Sequence, residues 1–380
     1  LPDAEASVTF RPSMSAKVVV VGAGVAGLSC ARELVRRGLE VTLLDKGRAA
    51  GGRITTRRRD GHAFDLGAQY LTTREPSFLA HVAELRERGI LAPWAGRIVA
   101  IDPETGARSG TEQVERLVGV PGMNAFPLAL AEGLDVRSSH RVERLVLDDG
   151  RWSLEVSVAE SGVTLPPTGA RPPLDAGARG PGALERARLG PFDAVIVSAP
   201  PSQAAGLVRE VAPGLADRVA GVALEPCFAL GVAFEGQDAE RLASLPFVGA
   251  FVGRDEAPST SGLSWVARDS SKPGRTAGER WVLHARGDRS RALYDEPEAS
   301  VTSSLLADFE ALTEVVGLTP SLTTLQRWGL ARATAPLLEG AFVDPRLRVG
   351  VGGDWASGGR VEGAYVSGLA LAEQLVASLH

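Results

Sequence analysis

The feature that most constrains the fold is the stretch Lys17-Val-Val-Val-Val-Gly22-Ala23-Gly24-Val25-Ala26-Gly27. Val18 to Val21 is an unbroken β-branched run, the pattern of a strand buried on both faces of a parallel sheet. Behind it Leu28, Ala31, Leu34 and Val35 recur at helical spacing, and Gly38 suits the helix stop. Leu39 to Asp45 reads as a second buried strand, so the whole is a βαβ unit. A GxGxxG alone is weak evidence. With strand, helix and a closing acid in register it is strong. Gly22 allows the tight turn, Gly24 lets a pyrophosphate touch the backbone, and Gly27 lets helix and strand pack closely. The helix N-terminus, with Ala23, Val25 and Ala26 in the loop, offers N–H groups and a positive dipole end to phosphate.

Asp45 stands where a carboxylate accepts from adenosine ribose hydroxyls, with Lys46 beside it. A carboxylate there disfavours a 2′-phosphate, so FAD or NAD is expected over NADP at this site. The next residues bear on the choice. Gly51-Gly52-Arg53 follows within a few positions. An Arg projected from a glycine turn meets a pyrophosphate in planar fork geometry.

The rest of the chain bounds the answer. Its 380 residues suffice for about two domains. A formal charge of -5 argues against a nucleic-acid surface. Lys occurs only at 17, 46 and 272. Cys30 and Cys227 form neither a disulfide framework nor a metal spacing, so inert thiols and no metal are expected. The apolar run at 18–31 is broken by three glycines and is too short to span a bilayer. No secretory signal is apparent, and a cytoplasmic protein without a membrane partner is expected. Residues 1–14 read as a loose leader, with Met14 as a natural start.

Helices are expected at 76–91, 298–315 and 362–378, a helix followed by a strand over 121–136, and hairpins at 96–110 and 141–158. Residues 159–191, rich in Pro, Gly and Arg, read as an exposed or disordered insertion. The fold class is α/β: a Rossmann-like FAD/NAD(P)-binding domain (15–75, 111–220 and 327–380) with a mixed-sheet α+β substrate domain (76–110 and 221–326).

Gly51-Gly52-Arg53 and "FDLGAQYL" (64–71) resemble the flavin amine-oxidase superfamily. "VGVPGMNAF", "SWVARDSSKPGR", "WVLHA", "QRWGLARA" and "GGDWASGGRVEGAYVSGLALAEQL" narrow the resemblance to its bacterial renalase-like members. One departure is that the Trp-Ser expected soon after His284-Ala285 is missing. The resemblance implies FAD, held non-covalently because no Cys lies in the C-terminal region. Gly67, Ala68 and Gln69 would pass beside the flavin, and Gly353 and Asp354 along its ribityl chain and pyrophosphate. Glu362, Gly363 and Ala364 would sit below the pyrimidine ring, where backbone N–H groups stabilise negative charge. Val142 is counted with the cofactor-binding residues.

Amine oxidases commonly carry an aromatic residue two positions before the Glu-Gly-Ala, where this chain has Arg360. A cation there repels a protonated amine and attracts an anion. Amine oxidases also often hold a Lys near flavin N5, and only Lys272, in a turn before Pro273, remains for that role. Renalase-like enzymes oxidise 2- and 6-dihydro isomers of NAD(P) to NAD(P)+, passing hydride to flavin N5, with O2 as acceptor and H2O2 as product. Such chemistry needs positioning more than acid–base help, which fits a chain with five His. Arg360, Gln69, Tyr70, Trp328 and His284 are the candidate catalytic residues. Trp355 covers the flavin or anchors the turn, Trp265 reads as sheet packing, and His62, His81, His140 and His380 as surface. Two other readings stay open: a flavin amine oxidase or ring dehydrogenase of the same fold, and a non-catalytic FAD-binding protein.

Overall fold

The computed structural model describes residues 15–159, 185–253 and 259–379. Lys17–Val21 lies inside a six-stranded sheet, in the order Ala341–Asp344, Val349–Gly352, Ala194–Val197, Lys17–Val21, Glu40–Leu44, Asp135–Arg137. Every pairing is parallel except at the Ala341–Asp344 edge. The β-branched run is buried because both faces are covered. Val18 and Val20 pack with Leu28, Ala31 and Leu34 of the helix Val25–Arg36 and with Leu371 and Leu375 of the helix Val361–Leu379. Val19 and Val21 pack on the other side against Trp152, Leu154 and Val208. That side is covered by a three-stranded antiparallel sheet, His140–Asp148, Arg151–Val158 and Glu185–Phe192, and by the helices Pro201–Val208 and Pro213–Ala220.

The C-terminal helix is seated on the first one through Gly368. A Cβ there would lie 2.0 Å from Ser29 Oγ and 2.3 Å from the Ala26 carbonyl oxygen. Close approach is therefore built into the sequence, and it brings the two helix N-termini to one side of the sheet.

A second, seven-stranded sheet runs Leu322–Ala333, Leu224–Phe234, Glu279–Ala285, Leu263–Arg268, Gly249–Val252, Ile98–Ile101, Arg108–Gly110. It is mixed, with one parallel pairing between Gly249–Val252 and Ile98–Ile101. The helix Glu298–Thr313 buries Val301, Leu305 and Phe309 against it, with Phe228, Phe247 and Trp281.

Two expectations are revised. Glu185–Phe192 is a strand paired with Arg151–Val158, so the insertion does not reach residue 191. Its arginines alternate with Ala187 and Leu189, which pack inward, a pattern that the surrounding Pro and Gly composition hides. Residues 160–184 and the 1–14 leader lie outside the described residues. The boundary expected at 326/327 falls inside the strand Leu322–Ala333, which pairs with Leu224–Phe234 from end to end. Among the described residues no helix is long and apolar enough to cross a membrane.

Candidate cofactor and substrate cleft

The two sheets flank one cleft of about 2240 Å³. A pocket for one small ligand is usually about 300–1,000 Å³, so there is room for a cofactor and a substrate together. One end is the glycine loop. Gly22 has φ +104°, and a Cβ on it would lie 2.2 Å from the Ser198 carbonyl oxygen. A Cβ on Gly27 would lie 1.9 Å from the Gly22 carbonyl oxygen. Packing requires both glycines, and Gly22 also lines the cleft. Gly24 has nothing within 4 Å of its missing Cβ and faces the cleft. That is the open cradle a phosphate requires at a helix N-terminus. Val25 and Ala26 line the cleft; Gly27 and Ala23 do not. Ala23 is corrected accordingly, because its N–H donates to Asp45 Oδ2 at 2.6 Å. Asp45 Oδ1 accepts from Gly47 N–H at 2.6 Å, and each carboxylate oxygen keeps a lone pair for a ribose hydroxyl. Lys46 Nζ donates to Gln203 Oε1 at 3.1 Å, and burial lowers its pKa. His140, Arg141, Val142 and Glu143 complete this end.

The turn of Gly51 and Gly52 has φ +123° and +56° and projects Arg53 into the cleft. Arg53 donates to the Ala331 carbonyl at 2.8 Å and to Asp354 Oδ1 at 2.5 Å. Gly67 and Ala68 line the same wall, and a Cβ on Gly67 would strike the Arg53 carbonyl oxygen at 1.9 Å. Gly353 and Asp354 lie opposite.

The expectation for Glu362, Gly363 and Ala364 needs correction. Glu362 is buried and turns away, its Oε1 accepting the backbone N–H groups of Arg74 and Glu75. Gly363 is a packing glycine: a Cβ there would lie 2.0 Å from the Ser357 carbonyl oxygen. Ala364 lines the cleft, but its N–H donates to the Arg360 carbonyl at 2.9 Å. The N–H groups without a helical acceptor are those of residues 360–363. Trp355 anchors the turn. Its Nε1 donates to the Ala199 carbonyl at 3.0 Å and its ring stacks on Phe342 at 6.0 Å.

On the substrate side, Gln69, Tyr70, Trp328, His284 and Arg360 all line the cleft. Trp328 Nε1 donates to the Leu66 carbonyl at 2.8 Å. Arg360 is exposed, and its guanidinium has no hydrogen-bonding or ionic partner among the described residues. Trp265, expected as sheet packing, also faces the cleft, 5.6 Å from Tyr70 and 4.6 Å from Phe251. The three make an aromatic wall. The rim carries Arg286, Arg291, Arg327 and Arg332 against Glu225 and Asp288. Arg332 pairs with Glu225 at 2.7 Å, and Arg327 lies over Tyr294 at 5.2 Å. Burial, and then the Lys272 cation, hold the His284 pKa down to about 4, so its ring is neutral at pH 7.

Lys272 is in a turn as expected, yet it is 2% exposed and hydrogen-bonds Gln69 Oε1 at 3.2 Å. His81 is not a surface residue; its ring stacks on Tyr365 at 5.3 Å. Among the described residues no group of His, Cys, Asp and Glu could hold a metal.

Residues 20–85 match the sequence profile described as an NAD(P)-binding Rossmann-like domain. Residues 94–376 match the profile of the flavin containing amine oxidoreductases. The chain belongs to the flavin containing amine oxidoreductase family. Membership places it among FAD-dependent oxidoreductases, and the open cradle at Gly24, the carboxylate of Asp45 and the reach of Arg53 fit that cofactor. Over 129 residues it is 34% identical to a hydroxyneurosporene desaturase of Rubrivivax gelatinosus, covering 29% of this chain and 25% of the relative. Over 54 residues it is 46% identical to a phytoene desaturase of Fusarium fujikuroi, covering 14% and 10%. The chain thus matches a quarter or less of the length of these curated relatives. Two solved structures share the fold across 96% of this chain. A protein described as a protoporphyrinogen oxidase from Exiguobacterium sp. 255-15 has a TM-score of 0.69 at 14% identity, over 99% of its own chain. Putrescine oxidase bound to putrescine has a TM-score of 0.64 at 12% identity, over 100% of its own chain.

Proposed function

We propose that this flavoprotein is a renalase-like oxidase of dihydronicotinamide isomers, the 2- and 6-dihydro forms of NAD(P), with NAD(P)+ as product. The observation that carries the reading is Arg360, an exposed cation on the cleft wall whose guanidinium has no partner among the described residues, joined by an arginine-rich rim. Four rim arginines face two acids, so a phosphate-bearing substrate is electrostatically favoured over a cationic one. The aromatic wall of Tyr70, Trp265 and Phe251 suits a flat ring, and the cleft is large enough for two dinucleotides. Bound FAD, held non-covalently, supplies the hydride acceptor, with O2 as terminal acceptor and H2O2 as co-product. The chain's own part is to bind, orient and exclude water, since a dihydropyridine expels hydride without a strong base.

Arg360→Ala tests the reading. The apparent Kd of a phosphate-bearing dihydronicotinamide should rise about tenfold or more, in line with a lost charged hydrogen bond of about 1.5–3 kcal/mol. FAD content should stay the same, and the wild-type affinity should weaken with salt. An unchanged Kd removes Arg360 from the substrate site.

A second reading, an amine or unsaturated-ring substrate, draws on the same aromatic wall. A protonated amine would meet the repulsion of Arg360 in that case.

A further inference from the structure

Lys272 follows the strand Leu263–Arg268, and its ammonium is enclosed. Nζ lies 2.7 Å from Asp269 Oδ1, 3.1 Å from Asp65 Oδ2 and 3.2 Å from Gln69 Oε1, with the Trp94 ring 5.5 Å away. Arg275 pairs with the same Asp65 and stands 4.0 Å from Asp269. The four charged side chains are at most 1% exposed. Burying ions costs several kcal/mol each, and an apolar cluster of the same volume is often at least as stable. Stability alone is therefore a poor account of this cluster. Among its members and Gln69, only Gln69 lines the cleft.

The contacts fix which way the Gln69 amide points. An ammonium has donors only, so the amide oxygen must face Lys272. The amide nitrogen then donates to the carbonyls of Gly67, at 3.0 Å, and Asp65, and lies 3.5 Å from His284 Nε2. The amide nitrogen has two hydrogens for these three acceptors and no lone pair to offer, so His284 Nε2 shares one of them with a carbonyl; a hydrogen on Nε2 would meet a donor, which assigns the ring proton to Nδ1. We infer that Lys272 is a positioning residue, which through Gln69 holds His284 at the cleft floor as a neutral ring with Nε2 as acceptor. Burial and the Lys272 charge act in the same direction on the ring. Asp65, Asp269 and Arg275 stand behind Lys272, and Arg286 is two positions along from His284. A neutral floor leaves the cations at the rim and at Arg360. Substrate would then enter ring-first, a consequence that rests on the proposed function, whereas the state of His284 does not.

The test is the histidine NMR spectrum of the FAD-loaded protein, with the His284 signals identified by their loss in His284→Gln. Wild type should show the Nδ1–H tautomer and a titration midpoint near pH 4. Lys272→Met should move the titration midpoint of the ring upward, and Lys272→Arg, which keeps the charge, should restore the low value. Gln69→Leu leaves all four buried charges in place and should release the tautomer while the protein stays folded. If Lys272→Met does not fold, Gln69→Leu decides alone. A wild-type Nε2–H or charged ring at pH 7, or a tautomer unchanged in Gln69→Leu, overturns the inference. The spectrum requires no substrate, so failure of the dihydronicotinamide reading leaves this outcome readable.

Discussion

Nη2 of Arg53 lies 2.5 Å from Oδ1 of Asp354, an ion pair across a sequence separation of 301 residues. It ties the glycine turn of the N-terminal unit to the C-terminal segment, and so bridges the two walls of the cofactor end of the cleft. A guanidinium has five donors, and the bonds of Arg53 to Ala331 and Asp354 leave N–H groups to meet a phosphate.

Arg53→Met should therefore weaken FAD binding. A charge-assisted hydrogen bond contributes about 1.5–3 kcal/mol, so the Kd should rise roughly 10- to 150-fold. Asp354→Asn should have a smaller effect, because it keeps an acceptor for Arg53. Flavin fluorescence titration of the apoprotein measures both.

The glycines of the loop should separate by role. Gly24→Ala puts a Cβ into the open cradle with no protein atom within 4 Å of it, so the chain should fold with a Tm close to wild type and bind FAD more weakly. Gly27→Ala places a Cβ 1.9 Å from the Gly22 carbonyl oxygen and should lower the melting temperature. Overpacking costs about 1–3 kcal/mol, more where backbone must move. Thermal melts with an absorbance spectrum of each variant distinguish the two.

Part of this was legible in sequence because it is local. The β-branched run, the glycine spacing and Asp45 sit within one βαβ unit, and each signal reinforces the next. The role of Glu362 was not legible, since its partners, the N–H groups of Arg74 and Glu75, lie 288 and 287 positions away. Lys272 shows the same limit. A lysine before a proline reads as a surface turn, and its partner Asp65 is 207 positions distant. Trp265 misleads differently: alternation along a strand says that it leaves one face of the sheet, not that the face borders a cleft. Glu185–Phe192 was masked by the composition around it.

Cysteine chemistry should be dispensable. Cys227 lines the cleft, but burial pushes its thiol up to about 12, so it is neither a nucleophile nor a flavin anchor at neutral pH. Acid precipitation of the holoprotein should leave the flavin in the supernatant. Cys227→Ser should keep full FAD content.

His284 should make stability depend on pH. Its folded pKa of about 4 lies below the 6.5 of an ordinary histidine, so the unfolded chain binds more protons between those values. Stability should be full above about pH 6.5 and fall as pH drops toward 4, by on the order of 3 kcal/mol from this group. His81, also lowered, chiefly by burial, adds to the same slope. Urea unfolding at pH 7 and pH 5 should show the loss, and His284→Gln should reduce it.

The flavin of this chain is proposed to take hydride from a phosphate-bearing dihydronicotinamide. Anaerobic mixing of the FAD-loaded protein with 6-dihydro-NAD(P), and separately with amines, addresses it most directly. Rapid bleaching of the flavin absorbance by the dihydronicotinamide and not by amines is the predicted result. Bleaching by amines alone, or by neither donor, contradicts it.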